Sequence, residues 1–229
     1  MVEQNMVYTV AVWLIPLVFA IVCHEVAHGW VARALGDQTA ANLGRLTLNP
    51  IKHVDPIGTV VLPLLLAIAH APIFGWAKPV PVRAKRLRNP RRDMVLVALA
   101  GPGSNFVLAL LTTFALGATY AVAGELPETG VAGFLTENLV NFLLINVFLA
   151  VFNLIPLPPF DGGHVVEGAL PRAMVPGWRK IARFGFPLLI FLLLVLPMIA
   201  PKANIVARVI GPIAETVIRG FLSLVGLGG

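Results

Sequence analysis

His24-Glu25-Val26-Ala27-His28 is the part of this chain best equipped for chemistry. On a helix the two imidazoles fall one turn apart and about 40° apart in azimuth, which suits them to grip one metal ion together. Glu25 lies on the same half of the helical wheel, placed to act as general base on a water held by that ion. The motif closes a run with no charged residue between Gln4 and Cys23. A carboxylate and two imidazoles on so apolar a segment are costly to retain without a role.

A zinc ion normally takes a third protein ligand and leaves a fourth position open. Asp161 is the leading candidate: it follows an apolar run and sits between Pro158-Pro159 and Gly162-Gly163, which permit tight turning and close approach. Its alternative role is a helix N-cap, for which Asp before Gly-Gly is well suited. His164 is a rival ligand, and His53 and His70 are weaker ones. Cys23 directly precedes His24 but points about 100° away from it, which reads as a packed thiol. Asn153, eight residues before Asp161, is a candidate substrate-binding residue, since an amide there could bind a peptide carbonyl or serve as interhelical glue. Asn105, Asn141 and Asn146 read as packing residues.

These side chains must be positioned by membrane helices. The 229-residue chain is 58% hydrophobic and only 12% charged, with mean hydropathy +0.86; a soluble domain carries roughly twice that charge. Charge is absent from Gln4–Cys23, Pro56–Ala77, Met94–Gly124, Asn138–Phe160 and Phe184–Pro201. Each run approaches or exceeds the roughly 20 residues that cross a hydrocarbon layer as a helix. The expected fold is an all-α polytopic membrane protein with about five to six membrane-embedded helices and short extended segments between them. Continuous rather than alternating apolar runs exclude a β-barrel. One intramembrane domain is expected over 1–229, with a catalytic core at 6–170 and C-terminal helices at 184–225.

Net charge is +6, but the basic residues cluster between apolar spans, which points to topology and lipid contacts rather than nucleic acid. A single cysteine leaves no internal disulfide framework. The first span lacks a basic n-region and leads straight into the motif, so it is expected to be retained rather than cleaved. Arg83–Arg92 and the patch from Arg172 to Arg183 are expected on the cytoplasmic side, with the acidic 124–138 loop opposite. The first span must then end near the cytoplasmic face to meet Asp161. The 57–74 run must begin and finish on one face, as a partial or re-entrant excursion. Gly75–Val82, with Pro79 and Pro81, is expected to be extended, and Lys78–Val82 could lend a strand edge to an unwound substrate or serve as a stiff connector. Arg208, Glu215 and Arg219 form one stripe on a last helix that either lies in the interface or spans with that stripe facing the bundle.

His24-Glu-Val-Ala-His28, Gly101-Pro-Gly-Ser-Asn105 and Asn153-Leu-Ile-Pro-Leu-Pro-Pro-Phe-Asp161-Gly-Gly together resemble the site-2 protease family of zinc intramembrane metalloproteases, from the first span to about Leu170. The resemblance implies that His24, His28 and Asp161 bind one Zn2+, that Glu25 activates water, and that Asn153 helps handle substrate. It implies a compact prokaryotic member without PDZ or CBS domains, in the cell inner membrane, with its active site nearer the cytoplasmic face. The implied reaction is cleavage of transmembrane segments in regulated intramembrane proteolysis. Its partners would be single-pass membrane-protein substrates, membrane lipids and regulatory membrane proteins, with no nucleic acid. The competing reading from another class is a divalent-metal transporter that uses the His/Glu/Asp cluster as a translocation site; a scaffold with structural zinc comes third.

Overall fold

The computed structural model describes residues 6–68, 75–200 and 206–228, and these contain helices and no strand. The helices are α1 (Met6–Ala34), α2 (Thr39–Asn42), α3 (Leu62–Ile68), α4 (Pro90–Ala123), α5 (Gly130–Asn153), α6 (Asp161–Ala169), α7 (Val175–Ala182), α8 (Gly185–Ile190), α9 (Leu196–Ile199) and α10 (Gly211–Ser223). Three of them, α1, α4 and α5, are long and apolar enough to cross a membrane. Their outer faces expose Trp13, Leu14 and Phe19 on α1 and Val107, Leu111 and Phe114 on α4. Water would not tolerate so continuous an apolar surface, whereas lipid favours it.

The remaining apolar runs are shorter in helix than in sequence. Pro56–Val61 forms a π-helical turn that leads into α3, and 69–74 lie outside the described residues. The 184–200 run is α8, a π-turn at Phe191–Val195 and α9, with prolines at 187 and 197 interrupting the ladder. The two ends of the 57–74 excursion meet: Trp76 N–H donates to the Gly58 carbonyl at 3.1 Å and Lys78 N–H to the His53 carbonyl at 2.8 Å. The chain thus leaves and returns at one place, and residues 75–83 run without helix as the alternate prolines require.

α4 is the central helix, packed on α1, α5 and α6. Its lower part shares a core with α5 and α10, made by Ala109, Leu116, Leu143, Val147 and Ala214. α10 turns Ala214 inward, while Glu215 and Arg219 stay exposed and 3.7 Å apart. The charged stripe of the last helix therefore faces away from the bundle. Gly36, at φ 114°, lets the chain leave α1 sharply. Asp37 then accepts from the Thr39 hydroxyl and the backbone N–H groups of Thr39 and Arg83. That carboxylate ties the end of α1 to the extended connector.

Candidate metal centre

His24 and His28 lie on the buried face of α1, and α4 presses against them there. The close approach depends on Gly101. A Cβ at that position would stand 2.4 Å from His28 Nε2 and 2.6 Å from His24 Nε2, so any side chain would fill the space the rings use. Asp161 arrives from the opposite direction as the first residue of α6, after a loop with a cis Pro158–Pro159 peptide. Gly162 makes that arrival possible, since a Cβ there would meet the Leu154 and Ile155 carbonyls at 2.5 and 2.4 Å. Asp161 makes no N-cap hydrogen bond; Phe160 takes the cap position with none from its side chain either.

The three side chains converge. Asp161 Oδ2 is 3.2 Å from His24 Nε2 and 3.3 Å from His28 Nε2, and the two Nε2 atoms are 3.1 Å apart. Among the described residues they are the group of three such ligand atoms within 4.8 Å of one another. The far side of each ring decides what these atoms are. His28 Nδ1 faces the Val97 carbonyl at 2.7 Å, and His24 Nδ1 faces Asn105 Oδ1 at 2.6 Å. Both partners are acceptors, so both Nδ1 atoms carry the proton and both Nε2 atoms present lone pairs. Asp161 Oδ2 is buried without a hydrogen-bond partner. Two nitrogen lone pairs and a carboxylate oxygen packed together without a donor repel one another unless a cation lies among them. The donor set, two imidazoles and one carboxylate with backs hydrogen-bonded, fits a divalent metal such as zinc.

Glu25 is half-buried beside this group, and its Oε2 accepts the Val80 N–H at 2.7 Å. The connector that supplies this donor is held from behind by Arg45, whose Nη2 donates to the Lys78 carbonyl at 2.8 Å. An apolar groove of about 410 Å³ opens between α1 and the connector, lined by Leu14, Val18, Ile21, Val54 and Trp76 among others. Its α1 residues follow the helical spacing that next reaches Glu25.

None of the other candidate ligands that the structure describes joins the group of three. Asn153 donates its amide back to the Leu149 carbonyl on its own helix at 3.0 Å. His53 donates through Nε2 to the Thr47 carbonyl at 2.9 Å, and His164 lines a separate cleft with Arg91 and Glu167. Cys23 is a half-buried free thiol outside the ligand group. His70 falls outside the described residues. The sequence singled out the Gly101–Asn105 motif but not what Gly101 makes room for, and spacing did not bring out the Val97 carbonyl, the Val80 N–H or Arg45. Gly101 and Asn105, four apart and therefore on one face of α4, were the available signal, though packing explains such a pair equally well.

Comparison with known proteins agrees with this geometry. The model of peptidase family M50 matches residues 12–196. The Bacillus subtilis protein named "Putative zinc metalloprotease YwhC" is 39% identical over 181 residues, 79% of this chain and 78% of its own length. Two mycobacterial proteins named "Putative zinc metalloprotease Rip2" are also similar. The one from Mycolicibacterium smegmatis is 30% identical over 82% of this chain and 67% of its own. The one from Mycobacterium tuberculosis strain H37Rv is 32% identical over 86% and 69%. No solved structure matches the chain. A family match across most of the sequence, over a helix pair that closes on two histidines and an aspartate, places the chain in peptidase family M50, the site-2 protease family.

Proposed function

We propose that this protein is a zinc-dependent endopeptidase that cleaves transmembrane segments of single-pass membrane proteins. The observation that carries the reading is the convergence of His24, His28 and Asp161 beside Glu25 on a helix long and apolar enough to cross a membrane. Zinc, when bound, supplies Lewis acidity: it lowers the pKa of a coordinated water and polarises a carbonyl. The chain's residues do the rest. His24 and His28 offer neutral Nε2 atoms, held in that tautomer from behind, and Asp161 adds one negative oxygen. Glu25 takes a proton from the attacking water and returns it to the leaving amine, and the Val80 N–H holds its carboxylate in place.

A helical substrate hides its carbonyls in its own hydrogen bonds and must unwind before attack. The extended 78–82 backbone runs past Glu25, which suits it to lie alongside an unwound segment. The apolar groove along α1, whose Leu14, Val18 and Ile21 share a helix face with Glu25, suits apolar side chains entering from lipid. Asn153 keeps Oδ1 available for a substrate amide. Basic segments at 83–92 and 172–183 support an orientation with Asp161 nearer the cytoplasmic face of a prokaryotic cell membrane. Regulatory membrane proteins or prior trimming of the substrate would then control access.

Glu25→Gln tests this. Purified with zinc, the variant is expected to keep its metal and to lose roughly a hundredfold or more of the cleavage of a model transmembrane substrate. A variant that still cleaved at the wild-type rate would overturn the mechanism. Cellular metal uptake by the wild type, unaffected by Glu25→Gln, would favour transport instead.

A further inference from the structure

Asn105 and Asn146 look like packing residues in sequence, yet both are wholly buried and their amides form one directional chain. Asn146 Nδ2 donates to the Phe142 carbonyl at 2.8 Å, one turn back on α5. Asn105 Nδ2 donates to Asn146 Oδ1 at 2.7 Å and lies 3.4 Å from the Ala20 carbonyl of α1. Asn105 Oδ1 then meets His24 Nδ1 at 2.6 Å. The Phe142 and Ala20 oxygens can only accept, so the orientation of both amides is dictated at the backbone. Turning either amide over would set oxygen against oxygen in a space sealed from water.

We infer that Asn105 and Asn146 are positioning residues for the metal ion: they hold His24 with its proton on Nδ1 and its Nε2 lone pair aimed at Asp161 and His28, and they key that orientation to α5. The ion's identity rests on the metalloprotease reading; the hydrogen-bond chain does not. α5 thereby governs two ligands at once. It reaches His24 through the amides, and it reaches Asp161 through the loop that follows Asn153. His28 is held independently by the Val97 carbonyl. Partners behind a metal-binding histidine commonly change affinity by about 10- to 100-fold. Asn141 gives an internal contrast. It is buried on the same helix and donates to the Val12 carbonyl of α1 at 2.9 Å, and this bond ends there without reaching a histidine.

The full-length protein in detergent, stripped with chelator, is titrated with Zn2+ against a fluorescent competitor and with Co2+ by visible absorption. Asn105→Leu, of similar size but without an acceptor, is expected to lose roughly 10- to 100-fold in zinc affinity and to alter the Co2+ bands. Asn105→Asp keeps an acceptor against Nδ1 but sets its second oxygen against Asn146 Oδ1, so it is expected to weaken zinc less than Asn105→Leu does while lowering the unfolding temperature. Asn146→Leu weakens zinc less than Asn105→Leu does, because Asn105 keeps its own contact. Asn141→Leu leaves affinity and bands unchanged, even where it lowers the unfolding temperature of the metal-free protein. Wild-type binding by Asn105→Leu, or equal weakening by Asn141→Leu, would overturn the assignment. If Asn105→Leu does not fold, Asn146→Leu against Asn141→Leu decides, and equal affinities there overturn it. A wild-type protein that held neither ion would bring down the metalloprotease reading as well, an outcome distinct from the others.

Discussion

Gly101 shows how much one missing methyl group can decide. The rings of His24 and His28 occupy the space a Cβ would take, at contact distances no real side chain tolerates. Gly101→Ala must therefore push α4 away from α1 or rotate both imidazoles off Asp161. The expected result is a folded protein with roughly tenfold or weaker zinc affinity, since ligand aim is lost before the bundle is. Zinc content of the purified variant, measured beside its helical content, checks this; full zinc occupancy would show that the rings have room the geometry denies. Glu25 stands apart from this constraint. Its carboxylate is anchored by the Val80 backbone, so Glu25→Gln keeps the ligand set intact and isolates the proton-transfer step.

The extended connector is the element that makes the site more than a pair of helices. It has few backbone donors because of Pro79 and Pro81, and charged side chains from elsewhere hold it: Arg45 at its Lys78 carbonyl, Glu25 at Val80 and Asp37 at Arg83. Asp37 lies beyond the end of α1 and carries a pH consequence. Burial pushes its pKa up, but the Thr39 hydroxyl, the Arg83 and Thr39 N–H groups and the Arg86 charge outweigh this and hold it below the ordinary 3.8. A carboxyl whose pKa is lowered by folding stabilises the fold fully above its unfolded pKa and loses that contribution as pH falls through the folded value. Thermal unfolding in detergent between about pH 6 and about pH 3 is expected to show a loss below 3.8 that Asp37→Asn abolishes, its stability being already reduced at neutral pH. Equal acid sensitivity in both proteins would assign the effect to other carboxyls.

At the scale of the molecule, α4 packs on α1, α5 and α6 alike, so both halves of the candidate ligand set register against a single helix. The residues on either side of the 59–74 run lie together, through the His53–Lys78 and Gly58–Trp76 bonds. This closed path predicts that cysteines placed at Lys52 and Arg86, in a Cys23→Ser background, are labelled from the same face of the membrane. A cysteine at Glu128, in the acidic segment after α4, is expected to label from the other. Membrane-impermeant thiol reagents on intact cells and on inverted vesicles make the comparison, and opposite faces for Lys52 and Arg86 would break the layout. α10 adds to the core through Ala214 while Glu215 and Arg219 point outward, which rules out a spanning helix with its charges turned into the bundle.

The three side chains that converge as a candidate metal group and the helical membrane class were readable before any folding, because each rests on local chemistry: imidazoles one turn apart, a carboxylate after a proline pair, and charge-free runs too long for anything but lipid. The extended proline segment was readable for the same reason, since backbone torsion is set residue by residue. What remained hidden depends on contacts between residues far apart in the chain. An asparagine in an apolar span looks alike whether it ends on a backbone carbonyl, as Asn141 does, or on a histidine of the candidate metal group, as Asn105 does. The Gly101 motif was visible but not the rings it makes room for, and the peptide N–H beside Glu25 carries no signature at all, for their meaning lies in which helix or extended segment passes within a few ångströms, and tertiary packing alone decides that.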